Sequence, residues 1–284
     1  MKKIIKTLFC MFFAAGAANA QQVLDIDLWQ NGLPNSNGVD KTQPYDDSKR
    51  NFKPSIRVFL PAKENANGKA VVCCPGGGYV HLSMENEGYN WAQFYNEQGF
   101  AYIVLKYRMP NGVTEVPISD AKEALRIVRE NAAAWNISPD KVGIMGSSAG
   151  GHLASTVATH SDSLTAPAFQ ILFYPVITFD YAYTHQGSRH GLIGKEASPE
   201  MVELYSNEKQ VTKQTPPAIM LLSDDDTAVP TPNSVNYYLA LKHNHVPASL
   251  HIYPSGGHGW GFRENFKYHE QMLADLKAWL KTLK

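Results

Sequence analysis

Short apolar runs alternate with stretches of helical period along most of this chain, and no other feature restricts its fold so far. Residues 23–29, 56–60, 69–74, 101–107, 141–145, 169–174, 218–222 and 248–253 read as strands. Residues 90–97, 119–134, 149–159, 233–243 and 265–283 read as helices, and in the second of these Ala121, Ala124, Leu125 and Val128 share one face. Strands that take turns with helices pair in parallel, because a parallel pair needs a long crossover, and the crossover helices cover both faces. Right-handed crossovers predict an α/β fold: a doubly wound, mostly parallel sheet whose crevice opens at the C-terminal ends of the strands. A length of 284 residues suits one such domain. Two segments fit neither period. Residues 31–55, rich in Asn, Pro, Asp, Ser and Lys, read as an irregular crossing segment after the first strand. Residues 179–199 are polar and hold Gly187, Gly191 and Gly194; they read as an excursion on the crevice side, at most a small lid, or as an ordinary surface loop.

The first twenty residues stand apart. Lys2, Lys3 and Lys6 form a positive start, an apolar run follows over 7–17, and Ala18-Asn19-Ala20 fits a small-x-small cleavage site. That pattern predicts a signal peptide at 1–20, a catalytic domain at 21–284, and a periplasmic or extracellular destination. The run is too short for a membrane anchor, so no membrane insertion is expected once it is removed. The formal net charge is zero, and losing those three lysines leaves the mature chain slightly acidic. No basic stripe invites nucleic acid. Cys73 and Cys74, adjacent in a strand, read as small buried apolar residues, and Cys and His nowhere show metal-ligand spacing.

Gly146-Ser147-Ser148-Ala149-Gly150 is the motif that carries chemistry. It joins an apolar strand to an apolar helix, the setting of a nucleophile elbow, where a strained turn needs small neighbours and lifts the serine hydroxyl above the sheet. Ser148 is then the nucleophile, and a serine needs a base. His258 follows the last strand among Gly256, Gly257, Gly259 and Gly261, which give the imidazole room to reach. His152, on the helix after the elbow, is a rival by proximity, and reads better as packing or hydrogen bonding beneath it. The acid that orients the base should follow the preceding strand, where Asp224, Asp225 and Asp226 compete. Spacing alone does not choose among them; Asp226 is preferred because it stands three residues before Val229-Pro230. The order Ser, Asp, His is that of an α/β-hydrolase. Pro75-Gly76-Gly77-Gly78-Tyr79 follows a strand and can present backbone N–H groups to an oxyanion. Gly77 and Gly78 are the candidate donors, with Ala149 from the elbow. The glycines lack the Gly-Lys-Ser/Thr or GxGxxG frame of a phosphate loop.

Together these elements resemble the α/β-hydrolase esterases, over essentially the whole mature chain. Cys74-Pro75-Gly76-Gly77-Gly78-Tyr79 with Leu82-Ser83 and Glu87-Gly88 is similar to a small bacterial group of acetylxylan-esterase-like or xylanase-B-like hydrolases. So are the segment from Gly146 to Ala154, and Thr184-His185-Gln186-Gly187-Ser188-Arg189 with Leu192-Ile193-Gly194. One departure is Ser223-Asp224, where relatives usually carry a Gly-Thr-like pair. The resemblance implies a secreted serine carboxylesterase that removes acyl groups, O-acetyl above all, from plant cell-wall carbohydrate, with no metal or organic cofactor. Tyr79 and Trp260 are the rings expected against the sugar, with Tyr181 a further one, although each can equally be packing. The alternatives are a feruloyl or general short-chain esterase, a peptidase, and an inactive carbohydrate-binding protein.

Overall fold

The computed structural model describes residues 22–160 and 162–284; the expected leader at 1–20 lies outside the described residues. Eight strands form one sheet: β1 (Gln22–Asp27), β2 (Ser55–Leu60), β3 (Gly68–Cys74), β4 (Ala101–Lys106), β5 (Ile137–Ser147), β6 (Gln170–Phe173), β7 (Ala218–Ser223) and β8 (Ala248–Tyr253). Their order is β1-β2-β4-β3-β5-β6-β7-β8. β2 runs antiparallel to both β1 and β4, and the other pairs are parallel. The chain leaves β3 for β4 on one side, then returns to β5 on the other. A crevice therefore opens between the C-terminal ends of β3 and β5, where the strand order reverses.

Seven helices accompany the sheet among the described residues: α1 (Ala92–Glu97), α2 (Glu115–Glu130), α3 (Ala149–His160), α4 (Gln186–Ile193), α5 (Pro199–Leu204), α6 (Pro232–His243) and α7 (His269–Leu280). Successive residues of each central strand face opposite cores. Val72, Cys74, Ile144 and Met220 pack with α2, α3 and α6 on one face; Val71, Cys73, Met145 and Leu221 pack with α1 and α7 on the other. Both cysteines are free and buried, and burial pushes the Cys73 thiol up to about 12, which leaves no thiolate for chemistry.

Among the elements that differ from expectation, three have a visible cause. α2 begins at Glu115 rather than 119, because Pro117 sits in its first turn, where a missing N–H costs nothing. α7 begins at His269, since residues 261–268 turn instead and stack Phe266 on Trp260. The excursion over 179–199 contains a helix, α4, hidden from the pattern by Gly187 and Gly191. A Cβ on Gly191 would stand 2.9 Å from Tyr79 Cβ, so its absence lets α4 lie against the glycine loop.

The irregular segment over 31–55 is tied down by ions. Buried Arg108 meets Asp120 at 2.7 Å and Asp40 at 3.1 Å, and donates to Asn35 O. Trp29 Nε1 reaches the same Asp120. Among the described residues no helix is long and apolar enough to cross a membrane.

Candidate active site

Ser148 stands at the end of β5 with φ +52°, outside the range most side chains tolerate. The turn closes because its neighbours are bare. A Cβ on Gly146 would collide with Gly150 O, and one on Gly150 with Cys74 O. The Ser148 N–H donates to Phe173 O on β6, and its carbonyl accepts from His152 N and Val176 N. The strained residue is therefore held from three sides.

His258 reaches it. Its Nε2 lies 2.8 Å from Ser148 Oγ, and its Nδ1 lies 2.6 Å from Asp226 Oδ2. The other carboxylate oxygen, Oδ1, accepts from Ala228 N and Val229 N, both at 2.9 Å. This explains why the aspartate precedes Val229 by three residues: the backbone of the next turn grips one oxygen and aims the second. An ionised carboxylate only accepts, so Nδ1 carries the proton and Nε2 offers its lone pair to the serine hydroxyl. Asp224 and Asp225 are exposed, and Asp225 accepts from Gly257 N at 2.8 Å, which shapes the histidine loop.

The glycine loop faces this relay across the crevice. Gly76 N–H is already taken by Glu87 Oε2 at 2.8 Å. The N–H groups of Gly77 and Gly78 meet no acceptor among the described residues, and neither does that of Ala149 at the start of α3. Gly77 has φ +138° and a Cβ there would collide with His81 O, so glycine is required where the loop bends over the serine.

Two buried groups that sequence reasoning did not single out join the loops. Glu87 Oε1 accepts from Tyr174 Oη at 2.8 Å, and Tyr174 Oη in turn accepts from Gly261 N at 2.8 Å. The Tyr174 ring stands edge-on to His258 at 4.8 Å. One hydrogen-bonded path thus runs from the glycine loop through Glu87 and Tyr174 to the histidine loop. Burial raises the Glu87 carboxyl above its ordinary range, opposed by the Tyr174 and Gly76 hydrogen bonds. A signal existed for Tyr174: it lies at the C-terminal end of a parallel strand, where such sites gather. For Glu87 there was none beyond its place in a motif.

Both rings expected against sugar are elsewhere. Tyr79 is 2% exposed and Trp260 3%. Tyr79 Oη pairs with His152 Nδ1 at 3.0 Å, beneath the elbow. Trp260 stacks on Phe266 at 4.2 Å and donates Nε1–H to Ser223 Oγ at 3.0 Å. Each phenol or indole therefore uses its polar tip inside the core, and neither presents a face to the crevice. The serine at 223 has a role of its own: its hydroxyl ties the end of β7 to the histidine loop. His152 is wholly buried, and its Nε2 faces Tyr205 O at 2.8 Å. Burial holds its imidazole down to about 3, so it stays neutral.

The cleft above Ser148 measures about 340 Å³ and is walled by Gly77, Gly78, Val80, His81, Glu87, His185 and His258. A larger hollow of about 720 Å³ lies between Trp29 and α2, but it holds no nucleophile. Among the described residues no three His, Cys, Asp or Glu side chains are grouped to hold a metal ion. What the cleft can do is move one proton between a hydroxyl and an imidazole beside a set of free N–H donors.

Known proteins share this arrangement of chain. The BD-FAE family model matches residues 56–241. An acetylxylan esterase of Xylanibacter ruminicola is 46% identical over 235 residues, covering 81% of this chain and 48% of that protein. Endo-1,4-beta-xylanase B of Butyrivibrio fibrisolvens is 32% identical over 223 residues, covering 73% of this chain and 35% of that protein. The chain thus spans half or less of the length of these two relatives. The crystal structure of an acetyl ester-xyloside bifunctional hydrolase from Caldicellulosiruptor lactoaceticus superposes with a TM-score of 0.81 at 32% identity, covering 91% of this chain and 96% of that one.

Proposed function

The chain belongs to the BD-FAE family of α/β-hydrolases, and from that premise we propose that it is a serine carboxylic-ester hydrolase acting on acylated plant cell-wall carbohydrate. Acetyl is the acyl group and xylan or its oligosaccharides the substrate. The observation that carries this reading is the unbroken pair of contacts from Asp226 through His258 to Ser148. The substrate half rests on likeness to proteins named for acetylxylan and xyloside esters.

Ser148 Oγ attacks the ester carbonyl while His258 Nε2 takes its proton. Negative charge moves to the carbonyl oxygen, where the N–H groups of Gly77, Gly78 and Ala149 receive it; one such donor is worth about 3 kcal/mol. His258 returns the proton to the departing sugar oxygen, leaving an acyl-enzyme on Ser148. Water, activated by the same imidazole, then releases acetate. Asp226 holds the tautomer and stabilises the imidazolium. Residues 1–20 act as a leader, so the working enzyme begins at Gln21 and meets its polymer outside the cytoplasm. An intact mass beginning at Gln21 in the exported protein checks this.

The test incubates the mature chain with acetylated and with feruloylated xylo-oligosaccharides beside Ser148→Ala, and follows the products by mass spectrometry. Loss of acetyl alone, dependent on Ser148, is the expected result. Dominant loss of feruloyl would keep the serine chemistry and change the acyl group. Cleavage of a small aryl acetate only would remove xylan as the target.

A further inference from the structure

With Tyr79 and Trp260 in the core, the cleft lacks the sugar contacts expected of it. His185 does line it. It caps α4, and its Nδ1 accepts from Ser188 N at 3.2 Å and lies 2.8 Å from Ser188 Oγ. A backbone N–H can only donate, so Nδ1 is the acceptor and the proton of the neutral ring sits on Nε2. That Nε2–H meets no acceptor among the described residues, and His185 walls the Ser148 cleft. Burial lowers the ring's affinity for a second proton.

The local chain is arranged around this ring at some cost. Helix caps favour Ser, Thr, Asp and Asn, and a histidine fills the cap here. Gly187 follows in the first turn of α4, where glycine weakens a helix. A Cβ on Gly187 would stand 3.0 Å from His185 Cε1, and one on Gly78 would stand 3.6 Å from the same atom. The imidazole lies between two glycines, one on α4 and one on the glycine loop. Its orientation is set before any substrate arrives.

We infer that His185 Nε2–H is a fixed hydrogen-bond donor to an oxygen of the saccharide half of the ester, and so a specificity-determining residue. This assignment rests on the proposed activity toward acylated carbohydrate. The ring is half-buried and lines the cleft beside Gly78, and its Nε2–H is a side-chain donor separate from the backbone N–H groups that receive the carbonyl oxygen. An oxygen-rich sugar satisfies such a donor, whereas an alkyl or aryl leaving group strands it.

His185→Asn is the variant that separates the ring's two tasks. Asparagine is a strong helix cap and keeps an acceptor for Ser188 N, but its shorter side chain withdraws the donor from the cleft. Kinetics are measured on an acetylated xylo-oligosaccharide and on an aryl acetate, with Tm recorded for both proteins. The ratio of kcat/KM, saccharide over aryl ester, falls about tenfold in the variant, carried by KM, as the loss of one neutral hydrogen bond requires. An unchanged ratio, through equal losses on both esters or through none, overturns the assignment, and equal losses in kcat would place the ring with the oxyanion donors instead. Wild-type cleavage of the aryl acetate alone would refute the carbohydrate reading and this assignment with it. Cleavage of neither ester would refute the esterase reading itself.

Discussion

The floor of the cleft and the rim built from residues 179–199 treat their polar atoms differently. On the floor, both oxygens of Asp226, both of Glu87 and both ring nitrogens of His152 have partners, and Tyr174 Oη has two. On the rim, Thr184 Oγ1, Gln186 Oε1 and the Nε and Nη1 atoms of Arg189 are buried without one among the described residues. The rim also carries Tyr181, 62% exposed, and Tyr183, 42% exposed. Groups paired in this way favour one low-energy arrangement, so they can hold reacting atoms to a fraction of an ångström. Unpaired groups leave room for rearrangement when a ligand brings partners. The comparison suggests that the floor carries the reaction and the rim carries the choice of substrate.

The sharpest test of the floor is to remove its reacting atoms. Ser148→Ala should lower kcat roughly 10⁶-fold on any ester and abolish labelling by a phosphonate probe. Asp226→Asn should cost about 10⁴-fold while the protein stays folded. The asparagine carbonyl can still accept from Ala228 N and Val229 N, but its amide then faces His258 Nδ1 and turns the imidazole to the wrong tautomer. A loss under tenfold in either variant would show that the reaction lies elsewhere.

Glu87 tests whether the pairing itself matters. In Glu87→Gln the amide oxygen accepts from Gly76 N and the amide NH₂ donates to Tyr174 Oη. The tyrosine hydrogen can then swing to the buried Ser147 Oγ, whose hydroxyl lies against Tyr174. The expected change in a urea unfolding midpoint corresponds to less than about 1 kcal/mol. Glu87→Ala strands the Gly76 N–H and opens a void, for a loss of about 2–4 kcal/mol. Equal damage from both variants would mean that the carboxylate charge, rather than the bridge between the loops, is what the fold needs.

His152 gives the floor a dependence on pH. Its affinity for a proton is lower folded, about 3, than the ordinary 6.5, so the unfolded chain binds the proton first. Its contribution to stability is whole above pH 6.5 and drains away as the pH falls toward 3, by up to about 1.4 kcal/mol per pH unit. His152→Gln, which cannot titrate, should be less stable at neutral pH and show a shallower loss on acidification. Parallel stability curves for the two proteins would contradict the neutral, buried state.

Much of the architecture was legible because it follows from periodicity. Strands buried on both faces read as apolar runs, and β8 occupies the very residues expected of it. The elbow was legible for steric reasons, since only small residues fit beside Ser148. The helix α4 was not, because Gly187 and Gly191 answer to neighbours distant in sequence, His185 excepted. Nor were Tyr79 and Trp260: an aromatic beside a motif reads alike whether its polar tip points inward or out, and here Ser223 and His152 draw it inward. Glu87 and His185 stood in quoted motifs without a role, because their roles are relations between loops, which one-dimensional spacing does not record.

The smallest expected effect is on the rim, and it tests the comparison from the other side. The Tyr181 ring lies 4.2 Å from the Arg189 guanidinium, which has no carboxylate partner among the described residues. A contact of this kind is worth about 0.5–1 kcal/mol. Tyr181→Ala removes it but also admits water to Nε and Nη1, which are buried and without a hydrogen-bond partner among the described residues. Hydration of two stranded donors offsets the lost contact, so a urea midpoint should move by no more than about 0.5 kcal/mol. On the floor a deletion of similar size leaves a donor stranded; on the rim it gives one a partner. A loss above about 2 kcal/mol would show that the rim is set as tightly as the floor, and that its unpaired atoms are held by packing rather than left free for a ligand.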